Sequence, residues 1–182
     1  VWNVLHGFEP EHGIKDYDLV YFDATDTSYE GEDRYIQEGE KLFRDVAGDI
    51  EIRNQARVHL WYEKHFGYPI APHQSAEDAI KTWPTTATTI GVRCDGDGLR
   101  VYAAHGLNDL FGMIIRANKI LVSKAVYEQK VGRWTKMWPK LKVIPWDETD
   151  GRENLRALLR EGASVHADRD VGLAEEWFSL EI

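Results

Sequence analysis

Apolar and polar positions follow recognisable periods along this chain. Leu19-Val20-Tyr21-Phe22 is a short apolar run preceded by Asp16-Tyr17-Asp18, which predicts a strand buried on both faces with its acids at the wetter N-terminal end. Ile50-Glu51-Ile52-Arg53 alternates, the period of a half-buried strand, and the reading extends it towards Trp61. Between the two, residues 29–45 put Tyr35 or Ile36 with Leu42 and Phe43 on an apolar stripe opposite a charged face. That pattern predicts an amphipathic crossover helix, capped by Thr27 or Ser28 and ended by Ala47-Gly48-Asp49.

Other segments read less richly. Val1, Leu5 and Phe8 fall on one side of a helix tail stopped by Gly7, and the chain is expected to begin mid-helix, with natural residues before Val1. Residues 62–75, with Gly67, Pro69 and Pro72, read as a loop, and Ser75-Ala76-Glu77-Asp78 as the cap of a short helix closed by Pro84. Thr85 to Cys94 and Leu99 to Ala104 read as strands joined by Asp95-Gly96-Asp97-Gly98, a hairpin signal. His105 to Arg116 reads as a buried helix and Leu121 to Met137 as an amphipathic one. Beyond Trp146-Asp147 a helical stretch stopped by Gly162 leads to Trp177-Phe178, so the expected organisation is a domain over 1–146 and a helical C-terminal extension over 147–182.

Composition narrows the function classes. With 182 residues, 43% of them hydrophobic and seven of them Trp, the chain is long and apolar enough to bury a core. A net charge of -9 means that a polyanion has to be met by a local basic patch or through a metal. The densest basic stretch carries Lys124, Lys130, Arg133, Lys136, Lys140 and Lys142, read as a solvated helix face or a phosphate-binding patch. One cysteine, Cys94, excludes an intrachain disulfide. With no long apolar run and no signal-peptide pattern, the expected location is the cytoplasm, away from membranes.

The chemistry centres on Asp16 and Asp18. Residues two apart on a strand leave it on the same side, so this pair can hold one hard cation. Glu51, on a strand expected beside the first, is a candidate third carboxylate, with Arg53 and Arg57 near for phosphate. The alternative is that these acids and bases are only the wet ends and faces of strands. His6, His12, His65 and His73 have no ligand spacing, Ser75 reads as a cap, and Asp95 and Asp97 as turn residues.

Asp16 to Asp23, Arg53 to Tyr62, Ser75 to Ile80, Trp83 to Thr88 and His105 to Phe111, in this order, resemble a largely uncharacterised bacterial nucleotidyltransferase-like family of the DNA polymerase beta type superfamily. The resemblance covers roughly residues 1–146 and implies an α+β fold, a small mixed β-sheet flanked by helices. It implies transfer of a nucleotidyl group from an NTP to an unidentified acceptor, a small molecule, RNA or protein, with magnesium as cofactor. Asp16 and Asp18 would then be the metal pair and Glu51 the third acid; Arg53, Asn54 and Arg57 would contact the nucleotide. Asn54 is as prominent as Glu51 in its block but cannot replace a carboxylate as a base. The superfamily's Gly-Ser turn, which holds the triphosphate on backbone amides, has no counterpart before Asp16; its place would precede Val1. Two other readings stay open: a non-catalytic nucleotide- or phosphate-binding regulatory protein that keeps the fold, and an interaction module whose C-terminal extension binds a partner or mediates self-association.

Overall fold

The computed structural model describes residues 1–96, 98–149 and 176–179, the last four as backbone. In chain order these form α1 (Trp2–His6), β1 (Asp16–Tyr21), α2 (Tyr29–Leu42), β2 (Asp49–Asn54), a 3-10 turn (Gln55–Arg57), α3 (Val58–Phe66) and α4 (Ala76–Ile80). There follow β3 (Ile90–Asp95), β4 (Gly98–Ala103), α5 (Asn108–Phe111), β5 (Ile114–Ile115), α6 (Lys124–Met137), β6 (Lys142–Val143), a 3-10 turn (Trp146–Glu148) and β7 (Glu176–Ser179). The chain is a mixed α+β protein that divides into two compact units.

One unit, Ile14–Ala79 with Gly91–Val101 and β7, is built on a five-stranded sheet of order β2-β1-β7-β3-β4. β1 and β2 run parallel through the α2 crossover, whereas β7 is antiparallel to both β1 and β3. Ser28 caps α2, its hydroxyl accepting from the Gly31 amide at 3.0 Å. The buried positions of the helix are Gly31, against Asp26 of the preceding loop, with Glu32 and Gly39 towards β2, while Leu42, expected on the apolar stripe, is 75% exposed. Glycine decides the outcome: a Cβ at Gly39 would collide with Ile52 Cδ1, so only this face packs closely on β2. Tyr21 meets Tyr35 on the same side, with ring centroids 4.4 Å apart and the rings tilted by 36°.

β2 stops at Asn54, earlier than the alternation suggested, because Arg57 to Phe66 turn helical; Trp61, Tyr62 and His65 therefore sit on a helix and not in a strand or loop. Ser75 caps α4 as expected, with its hydroxyl 3.0 Å from the Asp78 amide. Gly96, at φ 57, turns the β3–β4 hairpin, and Asp95 is ion-paired with Arg100 at 2.6 Å.

The other unit comprises Val1–Gly13, Ile80–Ile90 and the described residues from Tyr102. Its core is a tryptophan cluster: Trp2 meets Trp134 at 5.7 Å and Trp138 at 5.6 Å, both edge to face, and all three are at most 1% exposed. Burying three such rings supplies a large apolar area, and each edge-to-face pair adds about 0.5–1.5 kcal/mol. Trp2 Nε1 donates to Leu110 O (2.8 Å), and Trp138 Nε1 to Asn3 Oδ1 (2.6 Å). The buried side of α1 is thus Trp2, Asn3 and His6, and the expected apolar side, Val1, Leu5 and Phe8, is outside. Burial pushes the Tyr127 phenol up to about 12; it donates to Ile144 O at 2.6 Å and lies 3.0 Å from Ile115 O, which ties α6 to β5. The expected helix over 105–116 shrinks to α5, because Met113 takes φ 55 and the chain enters β5.

Of the expected helical extension over 147–182, residues 150–175 and 180–182 lie outside the described ones. The four described residues near its end form β7, a strand within the sheet. Among the described residues no helix is long and apolar enough to cross a membrane.

Candidate functional site

The parallel register of β1 and β2 places Asp18 opposite Glu51 and Asp16 opposite Asp49. Direct partners in a sheet point to the same face, and so do residues two apart. Asp16, Asp18, Asp49 and Glu51 therefore project from one side, opposite the side on which Ile52 and Tyr21 meet α2. The sequence nominated three of these acids and missed Asp49, although its position two residues before Glu51 was the available signal.

The acids differ in surroundings. Asp16 is 7% exposed and receives Lys15 Nζ at 2.7 Å, whereas the expectation left it open to water. Glu51 is half-exposed and lies 3.4 Å from Arg53 Nη2. Asp18 sits between them, part-buried. Among the described residues no three His, Cys, Asp or Glu side chains gather at metal-holding distance. The donor set nevertheless suits magnesium: hard carboxylate oxygens on two adjacent strands, with the Lys15 side chain, 72% exposed, beside them.

Asn54 and Arg57, expected at the nucleotide, work inside the protein. Asn54 is 1% exposed. Its Oδ1 accepts from the Asp23 and Ala56 amides, both at 3.0 Å, and its Nδ2 donates to Asp23 O (2.8 Å) and Asp26 O (3.3 Å). Arg57 is ion-paired with Glu32, which is buried and also accepts from the Asn54 amide at 2.9 Å; Arg57 Nε donates to Thr27 O at 3.0 Å. Together these groups fasten residues 23–28 to the C-terminal end of β2. A buried amide in such surroundings is a strand-to-loop anchor, and its polar atoms are satisfied by backbone. Arg53 alone of the three presents a half-exposed guanidinium beside the acids.

The anchored loop is itself highly bonded. Asp23 accepts from Thr25 Oγ1 (2.6 Å) and the Thr25 amide (2.8 Å), and these bonds hold its carboxyl below the usual range. Asp26 is lowered in the same way by Ser28 Oγ and the Ser28 amide, with Arg34 contributing charge. Tyr21, behind the acids, is pushed well above its ordinary value by burial and then by the charge of Glu32, so its phenol stays protonated.

Residues 1–143 match the model of a family described as Nucleotidyltransferase. A solved structure described as an NMR structure that reveals a CCA-adding enzyme head domain is similar to this chain, with a TM-score of 0.60 and 25% sequence identity, over 79% of this chain and 75% of that one. No curated protein matches. The family match spans most of the chain and includes both acid-bearing strands, and the chain belongs to this nucleotidyltransferase family.

Proposed function

We propose that this chain transfers a nucleotidyl group from an NTP to an acceptor hydroxyl with the help of magnesium. The observation that carries the reading is the register pairing of Asp18 with Glu51, with Asp16 on the same face, in a member of a nucleotidyltransferase family. Asp16 and Asp18 would hold the cation. When bound, magnesium neutralises triphosphate charge and favours displacement at the α-phosphorus with pyrophosphate leaving.

The chain's own residues do the rest. Glu51, one strand over from Asp18, takes the acceptor hydroxyl's proton as the new oxygen–phosphorus bond forms. Arg53 turns its guanidinium from Glu51 to a phosphate oxygen, exchanging one carboxylate partner for a better-matched anion. Asn54, Glu32 and Arg57 keep the C-terminal end of β2 fixed, so that Glu51 and Asp18 stay in register.

A second reading, nucleotide or phosphate binding without catalysis, draws on the ion pairs that Lys15 and Arg53 make with two of the acids. A cation-supported anion site of that kind needs no metal.

Thermal unfolding with each NTP, with and without magnesium, separates the two. A ligand at about a hundred times its Kd adds about 2.7 kcal/mol, a shift of roughly 5–10 °C for a chain of this size. The catalytic reading expects a shift that needs both NTP and magnesium and is lost in Asp18→Asn. A shift independent of magnesium that survives Asp18→Asn establishes the second reading and removes the first.

A further inference from the structure

From Lys130 to Lys142 this acidic chain carries five cations and no acid. On α6, Tyr127 and Trp134 face the core with Trp138 just beyond, which leaves Arg133 and Lys136 on the outer side, with Lys140 and Lys142 exposed past the helix end. Among the described residues no carboxylate lies within ion-pair distance of Arg133, Lys136 or Lys142. An unneutralised cluster on a protein of charge -9 is a local electrostatic reversal.

An aromatic ladder adjoins it in the same unit. His6 stacks on Phe8 at 5.5 Å, and Phe8 meets His12 at 4.4 Å. Phe8 is 36% exposed and His12 is exposed. The ladder is fixed beside the cations: the Lys140 amide donates to His6 Nε2 at 3.0 Å, and Lys140 Nζ lies 3.4 Å from Leu5 O. Gly13, just past His12, packs so closely on α6 that a Cβ there would collide with Met137 Sδ.

We propose that this face binds an unpaired polynucleotide strand, phosphates on Arg133, Lys136 and Lys140 and bases stacked on Phe8 and His12. Cations along a groove with rings beside them are the combination that single strands use, since a duplex hides the faces of its bases. An anionic membrane would engage the cations but offers the ladder no base faces to stack on. Glu9 and Glu11 flank the ladder and are exposed, so they oppose the contact and keep it weak. The surface belongs to a different unit from the acid pair, and its binding requires neither NTP nor metal.

The test is fluorescence anisotropy of the full chain with a labelled oligoadenylate of about 12 nucleotides, without NTP or magnesium. Three phosphate contacts give a salt slope near -2, about a twentyfold weakening from about 50 to 200 mM salt. The triple variant Arg133→Gln, Lys136→Gln, Lys140→Gln should lose that slope together with most affinity. Phe8→Ala should weaken binding by roughly tenfold and leave the slope intact, whereas Glu9→Gln with Glu11→Gln should tighten it. Asp18→Asn should bind the oligonucleotide normally, so failure of the metal site and failure of this surface read out separately. Absence of binding at low salt, wild-type affinity in the triple variant of unchanged thermal stability, or equal affinity for a duplex or anionic vesicles would overturn the proposal.

Discussion

Asn54→Ala is the perturbation whose consequences follow most directly from the geometry. The side chain makes four hydrogen bonds to backbone, three of them between 2.8 and 3.0 Å and one at 3.3 Å, from a position 1% exposed. At about 1 kcal/mol net for each, with the longest discounted, alanine should cost about 3 kcal/mol. That is a large part of the roughly 5–15 kcal/mol that holds a domain together. In urea, with a slope of about 2 kcal/mol/M, the midpoint should fall by about 1.5 M at unchanged slope. Asn54→Asp should cost at least as much: it keeps the acceptor for the Asp23 and Ala56 amides but aims a second oxygen at the Asp23 and Asp26 carbonyls in a buried place. A loss below about 1 kcal/mol in alanine, with an NTP-induced shift abolished, would refute the anchor and return Asn54 to the nucleotide.

The same structure makes three further predictions. Gly39→Ala should cost about 1–3 kcal/mol by forcing Ile52 aside, and Ile52→Val, which deletes the offending methyl, should make the pair less than additive in urea unfolding. Trp138→Phe should cost about 2 kcal/mol, since it removes the 2.6 Å bond to Asn3 Oδ1 within the buried cluster; Asn3→Leu in the same background should add less than it does alone. Burial holds the His105 imidazole below its ordinary value, with the charge of Asp109 pulling weakly the other way. The unfolded chain therefore takes up the proton first: stability is full above about pH 6.5 and declines as pH falls towards the folded value, a decline that His105→Gln should flatten in chemical unfolding at a series of pH values.

Local signals were legible where the chain satisfies them locally. The strand behind Asp16 and Asp18, the crossover helix capped by Ser28, the Ser75 cap and the hairpin turn at Gly96 each depend on residues within a few positions of one another. The mixed α+β architecture followed from these and from the family resemblance. What escaped was decided at long range. The buried face of α1 is set by Trp134, Trp138 and Lys140, which give Trp2, Asn3 and His6 their partners, and no period in eight residues reports them. The stripe on α2 was misread because close approach favoured glycine over leucine. At the site, the side-by-side placement of Asp18 and Glu51 came from period and order, but Asn54 and Arg57 looked like ligand contacts because a polar residue between strand and helix reads alike whether it faces solvent or a loop carbonyl.

β7 changes how the protein can be made. Asp18 and Val20 take as neighbours Ser179 and Trp177, so one side of β1 and the facing side of β3 go without their partner until the ribosome has translated nearly all of the described chain. The β1–α2–β2 arm can form early, from contacts close in sequence, while closure of the sheet waits on contacts of the highest order. During that interval the strand that carries Asp16 and Asp18 has an open edge, a template for wrong pairing and a natural client for a chaperone.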